Sequence, residues 1–251
     1  MNRLQGKTAI VTGSTRGIGR AIAEAYAREG ANVIISGTNQ GLCDSVAAGI
    51  RAAGGVAVPI PCDISQLEQI QHLYDRTLEQ FGEINIVVNN AGIAIFKAFV
   101  DVTPEEVQKI WGINLFGTFF SSQRAAQEMI KQGKGGKIIN MSSISEEVGT
   151  PMLTQYATTK GGIKIMTKCM ALELAAHKIN VNAIGAGVID TDISAAEFAK
   201  PGAREENTAR IPWGRMGEAE DLAGVAIFLG SDESDYVTGT TIFVDGGLTA
   251  V

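Results

Sequence analysis

Cysteine and histidine are scarce in this chain, and each scarcity closes off some chemistry. Cys43, Cys62 and Cys169 are an odd number at unrelated spacings, so neither a disulfide framework nor a thiolate metal motif can be assembled from them. The two histidines, His72 and His177, fall inside amphipathic helical patterns with no ligating partner at a usable spacing. No metal is expected. A basic excess is missing as well: 21 Lys and Arg against 27 Asp and Glu leave a net charge of −6, which argues against a nucleic-acid partner. No block of like charge marks a membrane-surface patch, and no segment approaches the length of a membrane span. The first apolar run, Ala9-Ile10-Val11, comes too early for a signal-peptide core to precede it. The expected setting is the cytoplasm, with buried free thiols, and the expected partner is a small molecule. Internal repeats and low-complexity stretches are also lacking.

What the chain does have is alternation. Its 251 residues, 45% hydrophobic, suit one α/β domain over 1–251. Short β-branched runs begin at Thr8, Asn32, Val56, Ile84, Lys137, Asn180 and Thr241, and helical patterns lie between them near 17–29, 40–53, 66–81, 104–132, 154–177 and 219–230. That order predicts a seven-stranded, doubly wound parallel sheet with helices on both faces. Ser65 with Glu68 and Thr103 with Glu106 have capping-box spacing, and Pro104 takes a first-turn position, so two helix starts are marked independently of hydrophobicity. The stretch of about 190–216 is irregular, with Pro201, Gly202 and Pro212, and reads as a substrate loop or lid beyond the sixth strand.

The first chemical motif, Thr12-Gly13-Ser14-Thr15-Arg16-Gly17-Ile18-Gly19, follows the first strand and opens the first helix. Glycines there permit a tight turn and let backbone amides and the positive helix end approach a pyrophosphate. Three residues separate Gly13 from Gly17, so the spacing is not the usual Gly-x-Gly. At the end of the second strand an acid would accept from a free ribose 2′-hydroxyl, but Ser36-Gly37-Thr38-Asn39 holds none. Arg16 and Thr38 can together neutralise and bond a 2′-phosphate, so NADP is expected in preference to NAD. Asn89-Asn90-Ala91-Gly92 ends the fourth strand, where small residues let a cofactor lie on the backbone and an amide can bond a ribose or adenine edge. Asp63, beside Ile64, is placed to accept from an adenine amino group, or else caps a nearby helix.

Tyr156 and Lys160 stand four apart, one helical turn, so an ammonium can hold a phenol ready to exchange a proton. A phenol with a pKa of about 10 must shift by roughly three units, about 4 kcal/mol, to work near neutrality. One ammonium at ~4 Å supplies about that much at an effective dielectric near 20. Ser143 can stabilise the developing alkoxide.

Together, the glycine pattern, Asn89-Asn90-Ala91-Gly92, Asn114, Ser143, Tyr156, Lys160 and the terminal Val244-Asp245-Gly246-Gly247 resemble the short-chain dehydrogenase/reductase family over essentially the whole chain. The resemblance implies a single-domain Rossmann fold and an NAD(P)-dependent enzyme interconverting a carbonyl and a secondary alcohol. It implies Tyr156 as proton donor or acceptor, Ser143 on the substrate oxygen, and Lys160 on the nicotinamide ribose, lowering the tyrosine pKa. It also implies Asn114 ordering a relay water, Ile189 backbone at the carboxamide and Thr191 near the phosphates. Cofactor contacts are accordingly expected from Gly13, Ser14, Thr15, Arg16, Gly17, Ile18, Gly19, Thr38, Asp63, Ile64, Asn90, Ala91, Gly92, Tyr156, Lys160, Ile189 and Thr191. A homotetramer built through the helices near 104–132 and 154–177 is implied too.

Substrate is less legible. The motifs resemble 3-oxoacyl-carrier-protein reductases, and Lys160-Gly161-Gly162-Ile163-Lys164 resembles glucose 1-dehydrogenases and other polyol enzymes. Apolar residues at 94–99 and at Met152-Leu153 favour a 3-oxoacyl thioester or other small ketone, with a glucose or polyol substrate as the alternative. A dinucleotide-sensing protein without chemistry is the other class, which would be expected to lack Tyr156 or Lys160. Two departures from the family stand out. Ala186 replaces a proline before Gly187, which is expected to loosen the turn presenting Ile189. Glu146-Glu147 follow the serine where small residues are common, and are expected on a solvated loop, with the pocket mouth as the alternative.

Overall fold

Seven short runs of β-branched residues become seven strands, stacked in the order β3-β2-β1-β4-β5-β6-β7. They are β1 (Thr8–Val11), β2 (Asn32–Ile35), β3 (Val56–Pro59), β4 (Ile86–Asn89), β5 (Gly136–Ser143), β6 (Ile179–Ala186) and β7 (Thr241–Val244). The computed structural model describes residues 2–250; Met1 and Val251, the two ends of the expected domain, lie outside the described residues. Every pairing is parallel, with Ile10 opposite both Ile34 and Val87. Strand order reverses between β1 and β4, and a crevice opens at such a switch point beyond the carboxyl ends of the strands.

The helices are α1 (Gly17–Arg28), α2 (Gln40–Ala52), α3 (Leu67–Phe81), α4 (Pro104–Trp111), α5 (Thr118–Gln132), α6 (Thr154–Leu174), α7 (Ala195–Phe198), α8 (Ala203–Ala209) and α9 (Ala223–Gly230). Because side chains alternate along a strand, each strand feeds two cores. Val11, Ile35, Val88 and Met141 pack with α1 and α9 on one face. Ile10, Ile34, Val87 and Ile138 pack with α3, α5 and α6 on the other. Two buried phenols lock these layers: Tyr26 donates to the Ala226 carbonyl and Tyr74 to the Ser121 carbonyl, each at 2.7 Å. Among the described residues, no helix is long and apolar enough to cross a membrane.

Thr103 caps α4 in a reciprocal box with Glu106, with Pro104 opening the helix, as its spacing predicts. The corresponding box at Ser65 does not form. Asp63 Oδ1 accepts from both the Ser65 amide and hydroxyl, so that serine is consumed in a turn, and α3 starts one residue later on Gln66 without a side-chain cap. The continuous helix expected over 104–132 is interrupted by a π-helix, Gly112–Gly117. Gly117 sits where a Cβ would stand 2.7 Å from the Ile64 carbonyl, so close packing against that loop needs a glycine there. A π-turn is a local change from i→i+4 to i→i+5 bonding with no residue signature of its own, so the sequence marks no break there. The irregular stretch at 190–216 carries two short helices, α7 and α8, lying over the crevice.

Candidate active site

The turn between β1 and α1 forms one floor of the crevice. Gly13 and Gly17 have φ of 63° and 51°, a left-handed backbone that favours glycine. A Cβ at Gly19 would stand 2.4 Å from the Gly13 carbonyl oxygen, so the turn closes only around a bare backbone. Arg16 is the N-cap of α1 and gives no side-chain cap, which leaves the first amides and the positive helix end facing the cavity. Gly13, Thr15, Arg16, Gly17, Ile18, Gly19, Thr38, Asp63, Ile64, Asn90, Ala91, Gly92 and Thr191 all line this one cavity. The glycine cradle, the open helix end and a run of polar groups fit a dinucleotide.

Three polar side chains of these motifs make internal bonds. Ser14 is fully buried and its hydroxyl accepts from the Ser36 amide at 2.9 Å, tying the turn to β2 rather than facing the cavity. Asn90 Nδ2 donates to the carbonyls of Thr12 and Gly13, each at 3.0 Å, so its amide clamps the glycine turn instead of standing free for a ribose. Asn89 points into the α5 layer, bonded to Ser121, Ser122 and Asn140. These directions depend on how the strand end meets its neighbours, which no motif records. Asp63 reaches the cavity but does not cap α3. Arg16 Nε lies 3.8 Å from Asp192 Oδ2, a lid carboxylate that sequence reasoning missed.

A second cavity adjoins the first and shares Ile18, Thr191 and Ile193 with it. Ser143 and Tyr156 open into it, together with Ala94, Phe96, Ile144, Met152, Leu153 and Leu248, while Glu206, Asn207 and Arg210 form the lid side. Ser143 is the last residue of β5, carried there because β5 runs eight residues and pairs with β6 along its whole length. The Lys97 amide donates to the Met152 carbonyl at 2.9 Å, which joins the 94–99 segment to the entry of α6. Met152 is one of two non-glycine residues at positive φ, 66°, a strained backbone in the cavity wall. Ile189 also borders this cavity, bridged to Gly217. The Ala186 turn is not loose: Ala186 pairs with Val244, and the Gly187 amide donates to the Val244 carbonyl at 3.0 Å.

Burial raises the Tyr156 phenol above its ordinary value, and a hydrogen bond with Ser143 opposes the rise. The expected lowering by Lys160 is therefore not met in this geometry. Lys160 Nζ lies 5.4 Å from the phenol ring centroid and donates to the Met141 carbonyl at 2.6 Å. Burial lowers the Lys160 ammonium to about 8, with Glu146 pulling the other way. Asn114 stands in the π-helix with its side chain fully engaged, accepting from the Ile93 amide and donating to the Ile93 carbonyl, both at 2.9 Å, and to Thr159 at 3.3 Å. It pins the segment after β4 against α6.

The family model described as Enoyl-(Acyl carrier protein) reductase matches residues 13–249. The chain belongs to the short-chain dehydrogenase/reductase family. It is 44% identical over 246 residues to an L-rhamnose 1-dehydrogenase (NAD(P)(+)) of Azotobacter vinelandii, covering 96% of each chain. It is 41% identical to 3beta-hydroxysteroid dehydrogenase 1 of Eggerthella lenta, covering 98% of this chain and 95% of that one. The crystal structure of a gluconate 5-dehydrogenase from Burkholderia cenocepacia J2315, in complex with NADP and tartrate, superposes with a TM-score of 0.95. That protein is 36% identical, and the match covers 99% of this chain and 97% of the other. This short-chain dehydrogenase/reductase is an NAD(P)-dependent oxidoreductase acting on alcohol and carbonyl groups.

The lowered Lys160 sets a pH dependence. Below about 8 the amine is charged, and above it the amine is neutral. Carbonyl reduction, followed as kcat/KM across pH, should therefore fall as pH rises through about 8, by at least tenfold over the next two units if the charge is essential. A flat profile to the ordinary lysine range would remove the link.

Proposed function

We propose that this enzyme interconverts a small ketone and its secondary alcohol with NADP(H), using Tyr156 as general acid and base. The observation that carries this reading is the meeting of the two cavities, with Ser143 and Tyr156 facing one side and the glycine turn the other. When bound, the nicotinamide supplies or takes the hydride. In reduction, the Tyr156 hydroxyl gives its proton to the carbonyl oxygen as negative charge develops there, and the Ser143 hydroxyl donates to the same oxygen. Oxidation reverses both steps. Lys160 brings a positive charge to the neighbourhood of the phenol, favouring phenolate when the proton has left. Asn114 holds the backbone of Ile93 in register with α6, and its part in ordering a relay water is carried over from the family resemblance.

Tyr156→Phe removes the only proton that this scheme transfers to substrate. Turnover should fall by about 10³ or more while NADPH still quenches intrinsic fluorescence normally; near-normal turnover would refute the assignment.

For the cofactor, the end of β2 offers Thr38 and no acid, and Asn39 Oδ1 is taken up capping α2 at 3.0 Å from the Leu42 amide. Arg16 is the cation beside that corner, and a 2′-phosphate competes with Asp192 for it. Arg16→Ala should raise KM for NADPH by about tenfold and leave KM for NADH nearly unchanged; an equal effect on both would overturn the preference for NADP.

The apolar walls at Ala94, Phe96, Met152 and Leu153 favour a 3-oxoacyl thioester or another small ketone. A second reading, a sugar or polyol, is favoured by the activities for which the L-rhamnose and gluconate relatives are named and by the polar lid side at Glu206, Asn207 and Arg210. A panel of thioesters, diketones, sugars and steroids, monitored at the reduced-nicotinamide absorbance, separates the two. The sensor alternative is disfavoured because Tyr156 and Lys160 are both present and adjacent. Three free thiols suit a reducing cytoplasm.

We also propose a homotetramer. Phe116, Phe119, Ile165 and Leu172 are exposed on the outer faces of the π-helix, α5 and α6, with Leu172 83% exposed, and an apolar face of that kind marks an interface. Light scattering should give four times the 26.4 kDa chain mass, and Leu172→Glu should lower it; a monomer at micromolar concentration would refute the assembly.

A further inference from the structure

One carboxylate oxygen beside the site is buried without a partner. Glu146 ends a 3₁₀ turn, Ile144–Glu146, that leaves β5 directly after Ser143. Its Oε2 accepts from the Ser142 hydroxyl, and its Oε1 is buried with no hydrogen-bond partner among the described residues. A buried acceptor left without a partner is costly, and more so when charged. The solvated loop expected for Glu146-Glu147 holds only for Glu147, which is exposed and pairs with Lys164 at 2.5 Å.

Strand alternation fixes where the Glu146 carboxylate lies. On β5, Ile138, Asn140 and Ser142 share the face toward α6: Ile138 packs in the same core as Ala171, and Asn140 Nδ2 donates to Thr167 Oγ1 at 2.9 Å. Ser142 therefore holds Glu146 in the layer between β5 and α6. From α6, Thr167, Lys164 and Lys160 rise at intervals of three and four residues along one stripe. Lys164 turns outward to Glu147. Lys160 turns inward, onto the carbonyl of Met141, the residue before Ser142. Two successive carboxylates thus face two lysines one turn apart. Only the outer two meet as an ion pair among the described residues; the inner carboxylate favours the charged form of Lys160 without touching it.

We propose that Glu146 is a positioning residue: a buried counter-charge, held on Ser142, that keeps the Lys160 ammonium charged while it serves Tyr156. This rests on the proton-transfer reading given above. Among the described residues no other charge is placed for the task. On α6 itself Tyr156 is neutral when protonated and Lys164 is committed to Glu147. Beside α4, Lys97 and Glu106 pair with each other at 2.9 Å, and on β5 the only charge, Lys137, lies at the far end on Asp235. The π-helix and β6 bring no charged side chain to this stretch.

The test is the pH profile of kcat/KM for carbonyl reduction in Glu146→Gln. Without the carboxylate the ammonium gives up its proton more readily, so the alkaline limb should move to lower pH by about one unit. Glu146→Asp should restore most of that shift, and Ser142→Ala, which frees the carboxylate without removing it, should move the limb the same way by less. Melting temperatures recorded alongside isolate a merely structural role: a variant that loses stability while its limb stays in place overturns the proposal. If Tyr156→Phe stays active, the reading of the site fails instead. An inactive Tyr156→Phe with an unmoved limb in Glu146→Gln defeats the counter-charge alone.

Discussion

A single ammonium, that of Lys160, is taken out of water between a strand and a helix, and much of the site is arranged around the cost. Holding it charged at about 8 instead of 10.5 corresponds to about 3 kcal/mol of lost solvation not recovered from partners. The Met141 carbonyl recovers part of it through a 2.6 Å bond, which requires β5 to run on to Ser143 with its full pairing to β6. The same extension delivers Ser143 to the substrate cavity. One turn of α6 then sets Tyr156 above the amine. Strand length, helix pitch and buried charge are thus one constraint.

A buried charge must stay near its task, so the parts that bring substrate and cofactor are the ones left free to vary. The 94–99 segment is held by Met152 and by the Asn114 clamp on Ile93, both rigid, whereas the lid is two short helices whose ion pair, Arg204 with Asp190, is exposed. That exposed pair is worth about 0–1 kcal/mol, and the lid is seated chiefly by buried Phe198 and by Ile211, which packs with Ile144 and Leu248. Relatives that name a methylpentose, a sugar acid and a steroid share this frame, which fits a scaffold whose chemistry is fixed on β5 and α6 and whose selectivity is set by the covering segment.

Much of this was legible from residue order. The seven strands and the Thr103 cap follow from period and cap chemistry, and the glycine turn follows from what a helix end and a bare backbone can do. The spacing of Tyr156 and Lys160 announced the dyad because helices repeat every 3.6 residues. What stayed hidden were directions. Ser14 belongs to the right turn but points into the protein, Asn90 lines the cavity while its amide nitrogen is spent on the Thr12 and Gly13 carbonyls, and Ser65 is captured by Asp63 before it can cap. The π-helix has no residue signature of its own, so the sequence does not mark it. Glu146 reads as a solvated loop residue until the alternation of β5 shows that Ser142 draws it inward. Charge alone suggests that Lys160 lowers the tyrosine; burial of the phenol, invisible in sequence, raises it instead, opposed by the Ser143 hydrogen bond.

The most direct test is to titrate Lys160 itself. In protein carrying ¹³C at lysine Cε, its resonance can be assigned by its loss in Lys160→Arg and followed by NMR from neutral to alkaline pH. The account predicts a midpoint near 8, set apart from the surface lysines. A midpoint at the ordinary lysine value, about 10.4, would mean that the amine is not held dry between β5 and α6, and would contradict it.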